Sequence, residues 1–440
     1  MTTLTNRQLG YHNAKQFSDG FSETDATVGY LTIGRTSLWD ANDSPPSLAN
    51  TLITSYSVWN NMFGGKRVVG NDVALVIRRN NWTANTVYPS YDDRAEAPYL
   101  AANGEYVYTT AGAVYRCLDN ANNALSTVEP TGDYILNNGF ITTADGYVWK
   151  YMYAITPTSK FITTSWIPVP ESQTINYYGS SNNVVSGAVS RLVVVSGGTG
   201  YSNTNTTITI VGNGTAATAN ANLTGNVLTS GIMTNHGKNY TYQNCSVVIT
   251  GIGTGANVRP VLSPPSGHAF NPARELSSNT VMISIKIGSP DSSEDGKVSA
   301  NNDFRQIALI TAPHKYNEST EVDSANANSA ITQSTSIILT TGTDYTKDEV
   351  VYQGTDLANA TYQAVVVDNL LNQAAVCEQS GTIQIGTILK GNTSAIQRTV
   401  VDTITPDLHP RSGNLLYVEN RATIMRAEGQ AENIKLVLSF

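Results

Sequence analysis

The stretch Ile208-Thr209-Ile210-Val211-Gly212-Asn213-Gly214-Thr215 is followed 39 residues later by a similar one, Val247-Val248-Ile249-Thr250-Gly251-Ile252-Gly253-Thr254. Upstream, Gly198-Thr199-Gly200-Tyr201 has a counterpart in Gly237-Lys238-Asn239-Tyr240. Each copy joins a β-branched run to a glycine turn. A unit that recurs at a fixed period can bury its apolar face against the next copy. The repeat therefore predicts an inserted β module in which one small unit is used twice.

Composition sets this segment apart and excludes some classes of function for the whole chain. Between positions 172 and 265 the only charged residues are Arg191, Lys238 and Arg259. Over all 440 residues only 14% are charged, which favours strands and turns over helices. The net charge of -8, without a basic run, argues against a nucleic-acid binder, because such a protein needs clustered cations to neutralise phosphates.

The cysteines and the hydropathy of the sequence indicate the cellular compartment in which the protein folds. Cys117, Cys245 and Cys377 lie far apart with no CxxC pair, which predicts small buried thiols instead of a zinc site or a disulfide framework. The first residues are polar, and no run approaches the ~18 apolar residues of a membrane span. We therefore expect a protein that is made and folded in a cytoplasm.

Short runs rich in Val, Ile, Tyr and Trp, separated by Gly, Asn and Asp, predict strands outside the module. The predicted strands are Tyr30–Arg35 and a group expected in one sheet system, namely Val73–Ile77, Tyr106–Tyr108, Val114–Leu118 and Tyr147–Tyr153. A possible short helix covers Gln8–Phe17. The best helix candidate is Leu48–Phe63, where Leu52, Tyr56, Trp59 and Phe63 place one apolar stripe along the helix.

Two further patterns concern the C-terminal region of the chain. Glu349–Gly354 and Ile383–Gly391 predict a small barrel-like unit of short strands. At the end of the chain, apolar residues alternate from Ile434 to Phe440, which places them on one side of a strand. Phe440 is therefore expected to be buried, and truncation there should destabilise the protein.

Together these patterns predict a mainly β protein, with a layered β-sandwich core, two inserted small β modules and few short helices. The predicted segments are an N-terminal arm at 1–29, a first β-sandwich core segment at 30–170, the β-repeat module at 171–268, a second β-sandwich core segment at 269–330, the barrel-like module at 331–404, and the C-terminal core strands at 405–440.

Two motifs resemble ligand-binding loops but lack essential residues. Gly231–Lys238 resembles a phosphate-binding loop, but five residues separate its glycines and Asn239 replaces the Ser or Thr that holds magnesium. We interpret it as a turn of the repeat. Asp291–Gly296 matches the first half of a calcium loop, but Asn302 stands where the bidentate Glu is required. A hairpin loop between the strands Val281–Ile287 and Phe304–Thr311 is the favoured interpretation.

No motif predicts a catalytic, metal or cofactor site. The histidines are spaced too widely for a local metal site; they are His12, His236, His268, His314 and His409. No Gly-x-Ser-x-Gly elbow surrounds a nucleophile, and the acids are scattered. A pair of carboxylates that cuts glycans stays possible, because two such residues need only meet in space. We therefore predict no enzyme, no catalytic residues, no cofactor and no metal.

Several stretches of the chain, taken in order, form a recognisable set of motifs that covers roughly 30–165, 270–313 and 411–440. They are Thr32-Ile33-Gly34-Arg35 with Trp39, the helix with Trp59, Val76-Ile77-Arg78-Arg79 with Trp82 and Tyr88-Pro89, Val114-Tyr115-Arg116-Cys117-Leu118-Asp119, Asp145-Gly146-Tyr147-Val148-Trp149-Lys150-Tyr151, Phe304-Arg305-Gln306-Ile307-Ala308-Leu309-Ile310-Thr311, and Ser412-Gly413 with Tyr417-Val418-Glu419-Asn420-Arg421, Ile424 and the terminal strand. In the same order along the chain, these stretches resemble the baseplate wedge subunits encoded by gene eight of T-even-type contractile-tailed phages.

The resemblance implies a structural virion protein of the tail baseplate, assembled in the host cytoplasm. It implies a β-sandwich homodimer that joins other baseplate wedge proteins and rearranges on sheath contraction, without catalysis or a cofactor. The inserted regions at about 171–268 and 331–404 depart from the family pattern. We expect them to decorate the outside, because surface loops tolerate insertion better than cores. They are possible contacts for tail fibres or peripheral baseplate proteins.

Four residues in the matched motifs are candidate structural anchors, Arg35, Trp39, Trp149 and Arg421, because Arg and Trp are enriched at binding hot spots. For a tryptophan in a strand, a place in the core is the common alternative. A second function stays open, a tail adhesin or fibre-associated protein whose repeat module binds host-surface glycan, since Tyr dominates the aromatic residues. A depolymerase that cuts such glycans is a third. Neither DNA nor a membrane is an expected partner.

Overall fold

The protein is mainly β, as the sequence predicts, and a computed structural model describes residues 8–22, 27–94, 104–132, 139–172, 185–288 and 298–440. Strands hold 47% of the residues and helices 9%. The described α-helices are α1 (Gln8–Asp19), α2 (Asp40–Asp43), α3 (Leu52–Asn61) and α4 (Pro272–Glu275). Single 3-10 turns lie at Gly70–Asp72 and Ser324–Asn326. No helix in the described ranges is long and apolar enough to cross a membrane.

The strands, in chain order, are β1 (Gly29–Gly34), β2 (Met62–Val68), β3 (Val73–Arg78), β4 (Tyr106–Tyr108), β5 (Ala113–Asp119), β6 (Phe140–Thr142), β7 (Val148–Ala154), β8 (Trp166–Pro168), β9 (Val189–Thr199), β10 (Thr207–Val211), β11 (Thr215–Thr224), β12 (Val227–Lys238), β13 (Ser246–Thr250), β14 (Thr254–Leu262), β15 (Thr280–Ile287), β16 (Asn302–Thr311), β17 (Ala330–Thr332), β18 (Thr335–Leu339), β19 (Val350–Gln353), β20 (Tyr362–Leu370), β21 (Gln373–Gly381), β22 (Ile388–Gly391), β23 (Gln397–Ile404), β24 (Asn414–Arg426) and β25 (Glu432–Ser439).

The chain forms two compact units, and each is built from separated segments. Unit 1 comprises 1–15, 74–281 and 438–440, and unit 2 comprises 16–73 and 282–437. The paired strands described below are antiparallel. The predicted segment boundaries and the layering of sheets into a sandwich remain predictions.

Unit 1 contains the sheet β4-β5-β7-β6, built from aromatic and β-branched residues that suit a half-buried pleat. Its core surrounds Trp149, whose ring stacks on Tyr147 at 5.4 Å between centroids and meets Tyr88 edge-on at 5.6 Å. Three of the four strands predicted for one sheet system lie in this sheet. The fourth, β3, lies in another sheet, where it pairs with β8. Sequence spacing gives no signal for this separation.

The two repeats form a pseudo-twofold module within unit 1. The corresponding strands β10 and β13 pair with each other, and Thr209 lies opposite its own counterpart, Val248. The next strands also pair between the two copies. Strand β11 of the first copy pairs with β12 of the second, and the equivalent strand β14 of the second copy pairs with β9 of the first. The bulges also correspond, one after Thr218 and the other after Asn257. The pairs β10–β13, β11–β12 and β9–β14 each join one copy to the other, so a single copy would leave these strand edges unpaired.

Charge ties this module to the rest of unit 1. Arg191 and Arg259, two of the three charged residues between positions 172 and 265, both reach Asp92, at 3.2 and 2.5 Å. Arg259 also contacts Asp93, whose other oxygen accepts the backbone N–H of Leu262 at 2.9 Å. These bonds are charge-assisted and only partly exposed to solvent, so they fix the orientation of the module.

Unit 2 combines an open sheet with a closed barrel. The sheet order is β17-β2-β1-β16-β24, and every residue of β1 is buried. The strands β18-β21-β20-β19-β22-β23 close into a barrel within 331–404. Its interior is filled by alternating apolar side chains such as Ile337, Val366 and Val376. A filled interior of this kind holds the barrel together and leaves no channel.

Three local predictions differ from the structure. Helix α3 begins at Leu52 after the N-cap Thr51, but Leu52 is 74% exposed, so only the Trp59 end of the predicted stripe is buried. The last residue, Phe440, lies beyond β25 and is 42% exposed instead of buried. β15 and β16 form no hairpin, because β16 pairs with β1 and β24 while β15 lies beside β25. In each case tertiary pairing overrides the local pattern.

Candidate interaction surface

The loop 35–43 in unit 2 carries two of the predicted anchors. It begins where β1 ends, with Arg35 in a left-handed conformation at φ 60°. The Arg35 guanidinium donates to the carbonyl of Leu38 at 2.9 Å and lies over the Trp39 ring at 4.0 Å. A cation over an indole face is attractive by ~0.5–2 kcal/mol. This contact fixes the Trp39 side chain in one orientation.

The third predicted anchor, Arg421 on strand β24, contacts Trp39. The Trp39 indole N–H donates to the carbonyl of Arg421 at 2.8 Å. The Arg421 side chain is 44% exposed and pairs with Glu419 at 2.9 Å on the same face of the strand. Trp39 itself is buried, so it is a rigid support beneath an accessible guanidinium. The fourth candidate, Trp149, is buried in the core of unit 1, which is the common alternative for a tryptophan in a strand.

Ion pairs hold the end of loop 35–43. The Asp43 carboxylate accepts the Arg305 Nε–H at 2.8 Å and also the hydroxyl of Thr423. The hydrogen bond from Arg305 and then that from Thr423 lower the pKa of Asp43 to about 2. Arg305 also donates to the carbonyl of Thr36 at 2.5 Å. The loop is therefore fastened to β16 and β24 at any pH near neutrality.

The barrel holds the other end of the loop. Glu378, on β21, accepts the backbone N–H groups of Thr36 and Ser37, each at 3.1 Å, and the Ser37 hydroxyl. The same loop thus binds both the open sheet and the barrel of unit 2. Such anchoring pre-orders a surface before any partner arrives, which lowers the entropic cost of binding.

This arrangement presents groups that suit contact with another protein. Leu38 is an exposed apolar side chain, and Arg421 and Glu419 supply opposite charges. An anchored tryptophan with nearby arginines and an exposed leucine has the composition of a protein-binding patch. The hydroxyls in this group, those of Ser37 and Thr423, donate to the carboxylates of Glu378 and Asp43 and so help to position the loop. The chemistry that the patch supports is binding.

Sequence reasoning missed a buried polar network in unit 1. The hydroxyl of Ser190 lies 2.8 Å from Nε2 of His268, and Nδ1 of His268 lies 2.6 Å from Glu275. Glu275 also receives Arg116 at 2.7 Å, and Arg116 binds Glu105 at 2.5 Å. Residues from β5, β9 and α4 meet here, at sequence separations that no local motif could reveal.

The contacts of Ser190 with His268 and of His268 with Glu275 resemble a nucleophilic triad, but the burial of these side chains indicates a structural role. Ser190 is 1% exposed, so a substrate carbonyl cannot reach its oxygen. Burial lowers the pKa of His268, although the neighbouring Glu275 opposes this shift. Burial alone would raise the pKa of Glu275, but His268 and Arg116 hold it well below its usual range. The network satisfies buried polar groups where the module joins the sheet of unit 1.

Two further ionisable groups lie near this network. His236 stacks on Phe140 with centroids 3.9 Å apart, and the Lys150 ammonium lies 4.6 Å from the same ring. Burial lowers the pKa of His236 to about 4 and that of Lys150 to about 7. Both shifts follow from the cost of placing a charge away from water.

The remaining sequence candidates have other positions. Gly231–Lys238 lies inside β12, so it is neither a phosphate loop nor the predicted turn. The calcium-like motif 291–296 lies outside the described residues. Cys117 and Cys377 are buried, as expected, while Cys245 is half-buried. In the described ranges no three His, Cys, Asp or Glu side chains gather as metal ligands would.

Comparison with known proteins shows a similarity to a phage protein. The chain is 26% identical over 204 residues to the baseplate wedge protein gp8 of Enterobacteria phage T4. The relationship is distant. The match covers 37% of this chain and 58% of the relative, so the chain spans less than two thirds of that protein. No protein-family model matches the chain.

Proposed function

We propose that this protein is a non-enzymatic structural subunit of a contractile phage tail, a wedge protein of the baseplate that joins neighbouring wedge subunits. The supporting observation is the distant similarity to the T4 baseplate wedge protein. Motifs in the same order along the chain, from Thr32–Arg35 to Tyr417–Arg421, agree with it. The proposal places the protein in the virion, at the tail baseplate, after assembly in the host cytoplasm.

The patch around loop 35–43 supports this role physically. An assembly subunit must hold its position through wide interfaces, some of which break when the sheath contracts. Trp39 is held by Arg35 on one side and by the Arg421 carbonyl on the other, so the patch offers a rigid centre with a charged rim. Hot spots of this composition concentrate binding energy in few residues.

We further propose that the protein is a homodimer that contacts other wedge proteins. Light scattering of the purified full chain should give twice the monomer mass across a concentration series. A strict monomer at high concentration would count against the family assignment. Contacts of the repeat module and the barrel with tail fibres or peripheral baseplate proteins belong to the same proposal.

Labelling tests the location independently. A tagged copy of the full chain, expressed during infection, should place gold particles at the baseplate end of purified tails. The control is the same tag on a capsid protein of that phage, which should label heads. Label restricted to fibre tips, together with binding of the chain to a glycan array, would favour the adhesin instead.

A further inference from the structure

A polar cavity of about 630 Å³ lies in unit 1, beside the end of β3. Its walls come from residues 76–80, from 164–166 at the start of β8, and from 276–280 after α4, with Tyr106 and Ser439. This wall contains two arginines, Arg78 and Arg79, and no aspartate or glutamate. It shares no residue with the patch around loop 35–43, which belongs to unit 2.

Aromatic rings and neutral oxygens hold the two arginines in place. The Arg78 guanidinium covers the Trp166 ring at 4.1 Å. Arg79 donates from Nε to the Asn81 side chain at 2.8 Å and from Nη1 to the carbonyl of Thr163 at 3.1 Å. Across the described residues of the chain, neither arginine forms an ion pair. Two positive charges are thus oriented beside a cavity whose described wall residues include no acidic side chain.

The cavity wall also offers neutral donors. The hydroxyls of Ser165 and Ser277 line it and make no hydrogen bond to any other residue that the structure describes. Guanidinium groups bind carboxylates through paired N–H donors, and adjacent hydroxyls can satisfy the remaining lone pairs of the acid. The wall is therefore complementary to a carboxylate.

We propose that this cavity binds the carboxylate of an Asp or Glu side chain in an acidic segment of a neighbouring protein in the assembly. The partner class rests on the proposed function. An acidic glycan shares the carboxylate, but sugar recognition commonly uses a free aromatic face, and Arg78 already covers the face of Trp166. The geometry favours a protein carboxylate for that reason.

Calorimetric titration of the full chain with a short glutamate-only peptide tests the proposal. The peptide should bind, and affinity should fall as salt is raised, because charge supplies the attraction. A glutamine-only peptide of the same length should not bind. The double variant R78Q/R79Q should weaken binding by about tenfold or more, since two charge-assisted contacts are lost.

A matched control separates site binding from overall charge. Lys238 and Arg274 are exposed residues of unit 1 that lie outside the cavity wall. The double variant K238Q/R274Q removes the same charge and should bind the peptide like the unaltered chain. Circular dichroism and thermal melting verify that each variant is folded. If R78Q/R79Q does not fold, the single variant R79Q should still weaken binding.

Three results would overturn the inference: no peptide binding by the unaltered chain, equal weakening in both double variants, or tighter binding of a free uronic acid than of the peptide. The titration needs no phage particle. If the titration shows no binding but the label lies at the baseplate, only the cavity proposal is wrong. Successful titration without that label removes the baseplate role.

Discussion

Thr209 and Val248, which hold equivalent positions in the two repeats, lie directly opposite each other in the β10–β13 pair. A pseudo-twofold axis that passes through this pair relates the two copies. This relation extends to side chains, because the Tyr201 hydroxyl accepts the backbone N–H of Ala256 at 3.3 Å and the Tyr240 hydroxyl accepts that of Ala217 at 3.3 Å. Each copy therefore supplies a tyrosine that completes the other.

Glycines beneath these tyrosines should be intolerant of substitution. A Cβ at Gly253 would overlap the ring of Tyr201, and one at Gly214 would overlap the ring of Tyr240. Overpacking of this kind costs ~1–3 kcal/mol. We expect Gly214→Ala and Gly253→Ala to lower the free energy of unfolding by similar amounts, as measured by urea denaturation.

Gly342→Ala is the control for these glycine variants, because its nearest neighbour would lie at 3.5 Å, an ordinary contact distance. It should change stability little. Unequal costs at Gly214 and Gly253, with one near zero, would contradict the reciprocal packing of the two repeats.

Two substitutions of Trp39 distinguish the contribution of its hydrogen bond to stability from that of its apolar surface. Trp39→Phe keeps an aromatic ring beside Arg35 but leaves the Arg421 carbonyl without the indole donor. The expected loss is ~1 kcal/mol of unfolding free energy. Trp39→Ala should cost more, because the ring contact is lost as well. Urea denaturation distinguishes the variants, and equal stability of Trp39→Phe and the unaltered chain would show that the bond contributes nothing.

The buried Lys150 predicts a rise of stability with pH. Its pKa falls from 10.5 to about 7 on folding, so between these values the unfolded chain binds more protons than the folded chain. The unfolding free energy should therefore increase from pH 7 to pH 10.5, by an amount on the order of 5 kcal/mol at most. Below pH 7 the cost of the buried charge is fully present.

The variant Lys150→Met should remove this pH-dependent contribution. Denaturation at pH 7 and pH 9 provides the comparison, with Lys238→Met as the exposed control. The same slope in Lys150→Met and in the unaltered chain would show that Lys150 is not the group responsible.

Leu436, inside strand β25, should contribute more to the stability of the protein than Phe440, which follows the strand. Leu436 is buried, whereas Phe440 lies beyond the strand and is substantially exposed. We expect Leu436→Ala to cost ~2–5 kcal/mol and deletion of Phe440 to cost clearly less. Thermal melting of the two variants compares them, and a larger loss from the deletion would restore the sequence-based expectation.

Local patterns were sufficient for many elements of the fold. The β-branched runs at Tyr30–Arg35 and Val114–Leu118 are strands, and the repeat period located the pseudo-twofold module. Alternation and periodicity record which residues are buried, and this information is local. The pattern failed at Leu52 and Phe440, where neighbouring chain segments decide exposure.

The candidate surface was only partly predictable. The matched motifs point to Arg35, Trp39 and Arg421, but the convergence of these residues depends on the pairing of β16 with β24 and on the anchoring of loop 35–43. Ser190, His268 and Glu275 gave no sequence signal, because their contacts join three separate elements. Polar networks between distant segments follow from topology, and one sequence does not reveal them.

Cryo-electron microscopy of intact tails that carry this protein tests the central claim most directly. The account predicts density for the chain within the baseplate wedge, with residues of another subunit packed against Leu38 and Arg421. Density for the chain only at a fibre tip, or tails that assemble and contract without it, would contradict a structural role in the baseplate.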